Sequence, residues 1–149
     1  MADAPHVMIV EARYYEDIAD ELARGAVAEL AAGGASYERF AVPGAFEIPA
    51  AVRYGLSASG RAFDGFVTLG CVIRGETSHY DLICNECARG LQALALEHAL
   101  ALGFGVLTCD NREQAWARAS LTGHNKGAGA ARACLAMLAL KRHLQLERH

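Results

Sequence analysis

The chain has 149 residues, of which 53% are apolar or aromatic and 21% are charged. A chain of this length buries about 70% of its unfolded surface, so its core needs no disulfide or metal, and the apolar content excludes intrinsic disorder. The net charge of −3 offers no basic surface for nucleic acid or for an anionic membrane. We therefore expect one domain over residues 1–149 that binds neither.

The sequence contains no run of about 18 apolar residues, and its first residues, MADAPHVMIVEAR, lack the basic start of an export signal. A cytoplasmic protein is therefore expected. The five cysteines are an odd number, which predicts free thiols. Cys84 and Cys87 have the spacing of a redox or zinc pair, but they fall inside a predicted helix, so we expect them to be buried apolar thiols.

Apolar runs of strand length alternate with helical patterns along the chain. The predicted order is strand 7–10, helix 16–32, strand 37–42, helix 48–56, strand 65–71, helix 78–102, strand 104–108, helix 113–119 and a helix from residue 128. Parallel strands need crossover helices, and these crossovers are right-handed. We therefore expect a single-domain, doubly wound α/β fold of the flavodoxin-like kind, with a parallel four-stranded sheet and helices on both faces.

Ligands of an open α/β sheet bind at the carboxyl ends of its strands. The segments that follow these ends are 11–15, 43–47, 71–79 and 109–112. In the third segment, Gly75 and Thr77 precede a helix start, where free backbone N–H groups and the helix dipole favour an anion such as phosphate. His79 lies beside this place and can take or give a proton near neutral pH. The alternative is a structural or solvated histidine.

Two other segments offer groups that suit a flat, polyhydroxylated ligand. Glu47 can accept hydrogen bonds from a polyol or a ring N–H, or it is a first-turn glutamate favoured by the helix dipole. Tyr14 and Tyr15 either stack on a flat ring or pack over the first helix. No G-x-G-x-x-G or G-x-x-x-x-G-K-[ST] motif occurs, so a dinucleotide or nucleoside triphosphate site has no support.

Four motifs carry a resemblance to a known family: VPGAFEIP at 42–49, GCVIRGETSHYD at 70–81, CNE at 84–86 and NKG at 125–127. In their order and spacing they resemble the 6,7-dimethyl-8-ribityllumazine synthases of riboflavin biosynthesis, over nearly the whole chain. The resemblance implies condensation of 5-amino-6-(D-ribitylamino)uracil with 3,4-dihydroxy-2-butanone 4-phosphate, with release of phosphate and two waters. It implies no metal or organic cofactor.

The resemblance makes His79 the proton-transfer residue and Tyr14, at a position where the family often has Phe, the ring that stacks on the pyrimidine. Whether Tyr14 or Tyr15 stacks stays open. Side chains of the second loop would bind the ribityl aminouracil, and backbone groups after the third strand would contact its pyrimidine. These residues are Ala45, Phe46, Glu47, Cys71, Val72 and Ile73, with Glu47 on the ribityl hydroxyls and Cys71 where Thr is common.

The resemblance also implies a phosphate subsite. The backbone of Glu76 and Thr77 would hold the phosphate, and Arg118 matches the arginine that binds it in the family. Whether Lys126 also contacts the phosphate stays open.

Phe104 matches an aromatic that closes over the pyrimidine. As the first residue of the predicted strand 104–108, it would lie at the opposite edge of the sheet from the four loops, roughly 15 Å away at ~3.3 Å per residue. Phe104 is then either a core aromatic or a residue that serves a neighbouring subunit. The family's site lies between adjacent subunits of a pentamer, which favours the second interpretation.

The resemblance implies a homopentamer or a multiple of pentamers, and the high alanine content suits such self-association. Decamers and sixty-subunit shells also occur in the family, and segment 120–127 lacks the Gly-Thr-Lys-x-Gly pattern associated with shells. Two rival functions are a non-catalytic relative that binds lumazine or flavin, and a flavin electron carrier. The second would need a phosphate loop after the first strand, where the sequence has EARYY at 11–15.

Overall fold

A computed structural model describes residues 4–144. All the strand pairs of its four-stranded sheet are parallel, in the order β2-β1-β3-β4. The strands are β1 (His6–Ala12), β2 (Ser36–Val42), β3 (Gly65–Ile73) and β4 (Ala101–Cys109). The helices are α1 (Glu16–Ala32), α2 (Ile48–Ser57), α3 (His79–His98), α4 (Arg112–Ala119) and α5 (Lys126–His143). The predicted doubly wound α/β fold is confirmed.

Side chains alternate across the sheet and build two separate cores. Val7 and Ile9 of β1 face α1 and α5, where they pack with residues such as Leu22 in the first core. Met8 and Val10 of the same strand face α2 and α3 and pack in the second core. Helices therefore cover both faces, as predicted.

The glycines of β4 let α5 lie directly on the sheet. At Gly103, a Cβ atom would come within 1.8 Å of the Ala130 carbonyl oxygen of α5. Gly127, at the start of α5, allows a similar approach to α1, because a Cβ there would lie 2.0 Å from the Leu22 carbonyl oxygen. No helix among residues 4–144 is long and apolar enough to cross a membrane.

The predicted boundary between the third helix and the fourth strand is wrong. Helix α3 ends at His98 because Ala99 adopts a left-handed backbone conformation, with φ of 53°. Strand β4 then begins at Ala101, which pairs with Gly65 of β3, so Phe104 is the fourth residue of its strand and not the first. The alternating Ala and Leu residues of this segment suit a helix as well as a buried strand, and the pairing with β3 decides between them.

Strand β3 also runs further than predicted. Its ladder with β4 continues to the pair of Ile73 with Cys109, so Val72 and Ile73 belong to the strand and not to the loop that follows. Because β1 pairs with β3 only as far as Glu11 with Leu69, the end of β3 projects past β1. This step in the sheet edge leaves room for a cleft.

Candidate active site

A cleft of about 690 Å³ opens at the carboxyl ends of β1, β2 and β3. Strand order reverses between β1 and β3, since the chain goes from β1 outward to β2 and then returns past β1 to β3. Open α/β sheets bind ligands at such a switch point. The predicted site residues that line the cleft are Tyr14, Ala45, Phe46, Glu47, Cys71, Val72, Ile73 and His79.

The first wall of the cleft is formed by the two tyrosines after β1. The rings of Tyr14 and Tyr15 meet edge to face, with centroids 4.9 Å apart and planes at 77°. Tyr15 is half-buried against the first core, whereas Tyr14 is 76% exposed. Burial raises the pKa of the Tyr15 phenol, which is therefore neutral. Tyr14 has the ring face that is free for a ligand, and Tyr15 supports it from the side.

A buried charge cluster fixes the backbone next to Tyr14. The Glu11 carboxylate, which is almost fully buried, accepts hydrogen bonds from Arg39 Nε at 2.6 Å and from Arg13 Nη1 at 2.7 Å. The other end of the Arg13 guanidinium pairs with Glu16 and Asp20. Hydrogen bonds to these carboxylates raise the pKa of Arg13 well above its ordinary value, with Asp20 contributing most. Arg13 directly precedes Tyr14, so the cluster holds the loop that carries the ring.

The second wall follows β2. Pro43 and Gly44 lead into a single 3-10 turn, Ala45–Glu47, which runs into α2. Glu47 occupies the N-cap position of α2, but its side chain makes no capping hydrogen bond. Within residues 4–144 its carboxylate has no hydrogen-bond or ion-pair partner. Glu47 therefore does not cap the first turn of α2 with a side-chain hydrogen bond. Its carboxylate is available to a ligand, beside the exposed Phe46 ring.

The end of β3 contributes backbone groups to the cleft. The N–H and carbonyl of successive residues point to opposite sides of a strand, and the Arg74 N–H donates to the Cys109 carbonyl of β4 over 2.8 Å. The backbone groups of Cys71 and Ile73 therefore point the other way, toward the side where β1 has ended. Those of Ile73 lie beyond the last β1 pair and face the cleft.

The Cys71 thiol is not a nucleophile in this site. Burial, with a further contribution from neighbouring Cys109, raises the pKa of Cys71 to about 12. A thiol is unreactive while it stays protonated. The five cysteines are free thiols, and none of them forms a disulfide.

The third wall is the start of α3, which follows the loop 74–78. His79 is the first residue of α3, and its side chain is exposed at the cleft. Its backbone N–H donates to Thr77 Oγ1 at 3.3 Å, while Ser78 makes no side-chain cap. Within the described chain no protein group pairs with the imidazole. Glu76 and Thr77 are exposed in the loop that precedes His79 and do not line the cleft.

The chain is similar in sequence to known proteins over nearly its whole length. The family described as 6,7-dimethyl-8-ribityllumazine synthase matches residues 4–142. The chain belongs to this family. The 6,7-dimethyl-8-ribityllumazine synthase 1 of Rhizobium meliloti is 53% identical over 96% of this chain and 95% of its own length. Synthases of Bartonella tribocorum and Agrobacterium fabrum are each 50% identical, over 95% and 94% of this chain and 93% and 97% of their own lengths.

Family membership confirms the resemblance that the motifs carry. The lumazine synthases are transferase enzymes of riboflavin biosynthesis, so the prediction of an enzyme is confirmed and the electron-carrier alternative is not supported. The groups gathered in the cleft suit this assignment: an aromatic face, a free carboxylate, open backbone groups and an unpaired imidazole.

Four residues that the family resemblance implies do not line the cleft: Glu76, Thr77, Phe104 and Arg118. Phe104 lies on the same face of β4 as Val106, but α3 leaves it 46% exposed. Five residues separate it from the carboxyl end of β4 at Cys109, roughly 16 Å of strand. Arg118 lies on α4, where its guanidinium donates to the Gln114 carbonyl at 3.2 Å. Lys126, at the first turn of α5, is also outside the cleft.

Sequence reasoning missed several residues of the cleft. Leu82 and Ile83 line it from the first turns of α3, and Pro43 and Gly44 line it from the second loop. The signal for the first pair was present, because residues three and four positions after His79 lie on the same face of a helix. Arg112 lies outside the cleft lining, but it pairs with Asp17, and its guanidinium carbon lies 5.9 Å from the centre of the Tyr15 ring. Spacing in the sequence does not reveal this contact between α4 and α1.

Proposed function

We propose that this chain condenses 5-amino-6-(D-ribitylamino)uracil with 3,4-dihydroxy-2-butanone 4-phosphate to give 6,7-dimethyl-8-ribityllumazine, phosphate and two waters. The observation that carries the proposal is the meeting of Tyr14, Glu47 and His79 at one cleft, from three separate loops. Each of these side chains has a free ring face or a free polar group there. The reaction class needs no metal or organic cofactor, because each step is an addition, an elimination or a proton transfer.

The aminouracil would lie between the exposed Tyr14 ring and the end of β3. Its ring N–H and carbonyl groups would meet backbone groups of Ile73 and Cys71, with Val72 packing beside them. The ribityl chain would run along the second loop, over Ala45 and Phe46. The Glu47 carboxylate would accept hydrogen bonds from its hydroxyls. A buried polar group on a ligand needs such a partner, since an unpaired one costs about 1–3 kcal/mol.

The chemistry follows from the two substrates. The aromatic amine attacks the ketone, and loss of water gives an imine. A proton is then lost from the adjacent carbon and the carbon–oxygen bond to phosphate breaks, with the electron pair leaving on the phosphate. Loss of phosphate leaves an enol, which takes up a proton at its terminal carbon and releases the hydroxyl proton to become a ketone. The second amine attacks this new carbonyl, and loss of another water closes the ring.

His79 supplies the proton acceptor and donor for these steps, from the edge of the cleft. The backbone N–H groups of Glu76 and Thr77, beside the N-terminus of α3, would hold the departing phosphate. Alignment of the two substrates is itself a large contribution, since effective molarities of aligned reactants reach about 10⁵ M.

We infer that the site is completed by a neighbouring copy of the chain in a homopentamer or a multiple of pentamers. Phe104 is the implied site residue that lies far along its strand from the cleft of its own chain, whereas the Arg118 charge acts on the Cys109 thiol at the carboxyl end of β4. Phe104 itself is 46% exposed, and α3 adds exposed apolar surface at Leu82 and Leu96, which are 56% and 75% exposed. Contact between copies would bury such apolar surface and bring the Phe104 ring to the neighbour's cleft. The cytoplasmic location stays a prediction.

The test is a direct assay of the purified protein with both substrates, followed by the absorbance and fluorescence of the lumazine product. Product formation that depends on both substrates is expected. No product, together with a yellow flavin or lumazine that stays bound through purification, would contradict the proposal and favour the non-catalytic relative.

A further inference from the structure

One arginine, Arg74, makes contacts at both ends of the loop between β3 and α3. Arg74 is the last residue before the loop 75–78, and its backbone N–H donates to the Cys109 carbonyl at the end of β4. Its Nε is 3.1 Å from Oδ1 of Asp110, the residue that follows β4. The start of the loop is thus tied to the end of β4 by both main chain and side chain.

The same guanidinium also reaches the far end of the loop. It lies over the Tyr80 ring, 4.3 Å from the ring centre, and its Nη1 is 3.7 Å from Oδ1 of Asp81. The Tyr80 side chain also lies close to the Thr108 side chain of β4. Arg74 therefore closes the loop 75–78 into a ring of contacts between β4 and the first turn of α3, and His79 lies inside the closed segment.

We propose that Arg74 is a positioning residue: it acts as a clamp that holds the loop 75–78 and His79 in the geometry that binds the phosphate of the four-carbon substrate and transfers protons. This inference rests on the proposed function. Two carboxylates and a ring already occupy the guanidinium, so Arg74 is not free to bind the phosphate itself. The Asp110 hydrogen bond is also the main cause that raises the pKa of Arg74.

Because the side chains of the clamp are exposed, its effect on the position of the loop can be separated from its effect on the stability of the fold. The side chains of Arg74, Asp81 and Asp110 are 49%, 58% and 65% exposed. Exposed ion pairs contribute little to the free energy of unfolding, because water screens them and ordering the side chains costs entropy. Loss of the clamp should therefore change the loop and the kinetics while the thermal midpoint stays close to that of the wild type.

The experiment compares Arg74→Gln and Asp110→Asn with Arg132→Gln in the assembled enzyme. Arg132 is a matched control, since it is an exposed arginine that joins two elements through Glu29, away from the cleft. Arg74→Gln and Asp110→Asn should each raise the KM for the phosphorylated substrate about tenfold, within the range of about 10²-fold that a small misplacement costs. The KM for the aminouracil and all constants of Arg132→Gln should stay unchanged.

Asp110→Asn distinguishes the clamp from direct phosphate binding. If Arg74 bound the phosphate, removal of a competing carboxylate would free its guanidinium and lower the KM for the phosphorylated substrate, which would overturn the proposal. Arg74→Lys gives a second discrimination: lysine keeps the charge but loses the planar fork and the stacking on Tyr80. Arg74→Lys should behave like Arg74→Gln, and full rescue by lysine would also contradict the clamp.

Hydrogen exchange of the backbone amides of residues 75–79 tests the clamp without any turnover. Exchange in Arg74→Gln should be severalfold faster than in the wild type and in Arg132→Gln. Unchanged exchange would overturn the clamp even in an active enzyme. Conversely, if the wild type forms no product while the loop still loosens in Arg74→Gln, the proposed function fails and the clamp stands.

Discussion

The free imidazole of His79 and the free carboxylate of Glu47 are the residue-scale basis of the proposed chemistry. Both groups lie at the same cleft, and neither has a protein partner within residues 4–144. A buried or bonded side chain would have to break an interaction before it met substrate. The imidazole and the carboxylate can therefore meet substrate without first losing a protein contact. The thiol in the cleft lining, Cys71, stays protonated because burial raises its pKa.

We expect His79→Ala to lower kcat about 10²-fold without abolishing turnover, because general acid–base catalysis contributes about 10² to 10⁴ and substrate alignment survives the substitution. Steady-state kinetics with both substrates varied check this. His98→Ala is a suitable control, since His98 ends the same helix. A variant that keeps the kcat of the wild type would show that His79 is not the proton-transfer residue.

At the scale of elements, the buried cluster under Tyr14 ties β1, β2 and α1 together. Glu11 and Arg39 lie on adjacent strands, and Arg13 joins them to Glu16 and Asp20 of α1. A buried charge whose partner is removed is left uncompensated, which costs more than the pair contributes when intact. The cluster therefore gives the Tyr14 loop a defined position and makes the fold sensitive to any change in its charges.

Glu11→Gln should lower the free energy of unfolding by about 1.5 kcal/mol, because it weakens the charged hydrogen bonds to Arg13 and Arg39 but leaves both guanidinium groups in contact with water. Urea denaturation measures this difference. Arg89→Gln, which breaks the more exposed pair with Glu86 on α3, should change stability by less than about 0.5 kcal/mol. Equal losses in the two variants would contradict the structural role of the buried cluster.

The order and type of the elements could be predicted from the sequence, because strand-length apolar runs and amphipathic helices have different periods. The boundary between α3 and β4 could not be predicted, since the Ala and Leu residues near position 100 suit a helix or a strand equally well. Pairing with β3 determines where the strand begins. The motif loops of the site were predictable by family resemblance. The clamp at Arg74 and the contact of Glu11 with Arg39 were not, because they join residues 36 and 28 positions apart.

At the scale of the whole molecule, buried thiols set a limit on alkaline stability. Burial raises the pKa of Cys134 from 9.0 to about 12, and Cys87 behaves in the same way. Each thiol favours the folded state while it is neutral. Its contribution is complete below pH 9, where the unfolded thiol is also protonated, and is lost as the pH rises toward 12.

We therefore expect the unfolding free energy to fall above pH 9, by about 1.4 kcal/mol per pH unit for each fully buried thiol. Cys134→Ala should remove part of this slope while it lowers stability at neutral pH through a small cavity. Denaturant unfolding between pH 7 and pH 11 measures both effects. Cys84→Ala, at a half-buried position, is the control, and an equal change of slope there would contradict this explanation.

The central claim is that a working site needs two copies of the chain, one with the cleft, His79 and Arg118 and the other with Phe104. Co-assembly of His79→Ala and Phe104→Ala subunits in equal amounts tests this claim most directly. In a cyclic assembly about a quarter of the sites would then pair an intact cleft with an intact neighbour, so the activity should reach about a quarter of the wild-type value. If both residues served the same copy, no site would be restored. An activity no higher than the mean of the two variants would contradict the account.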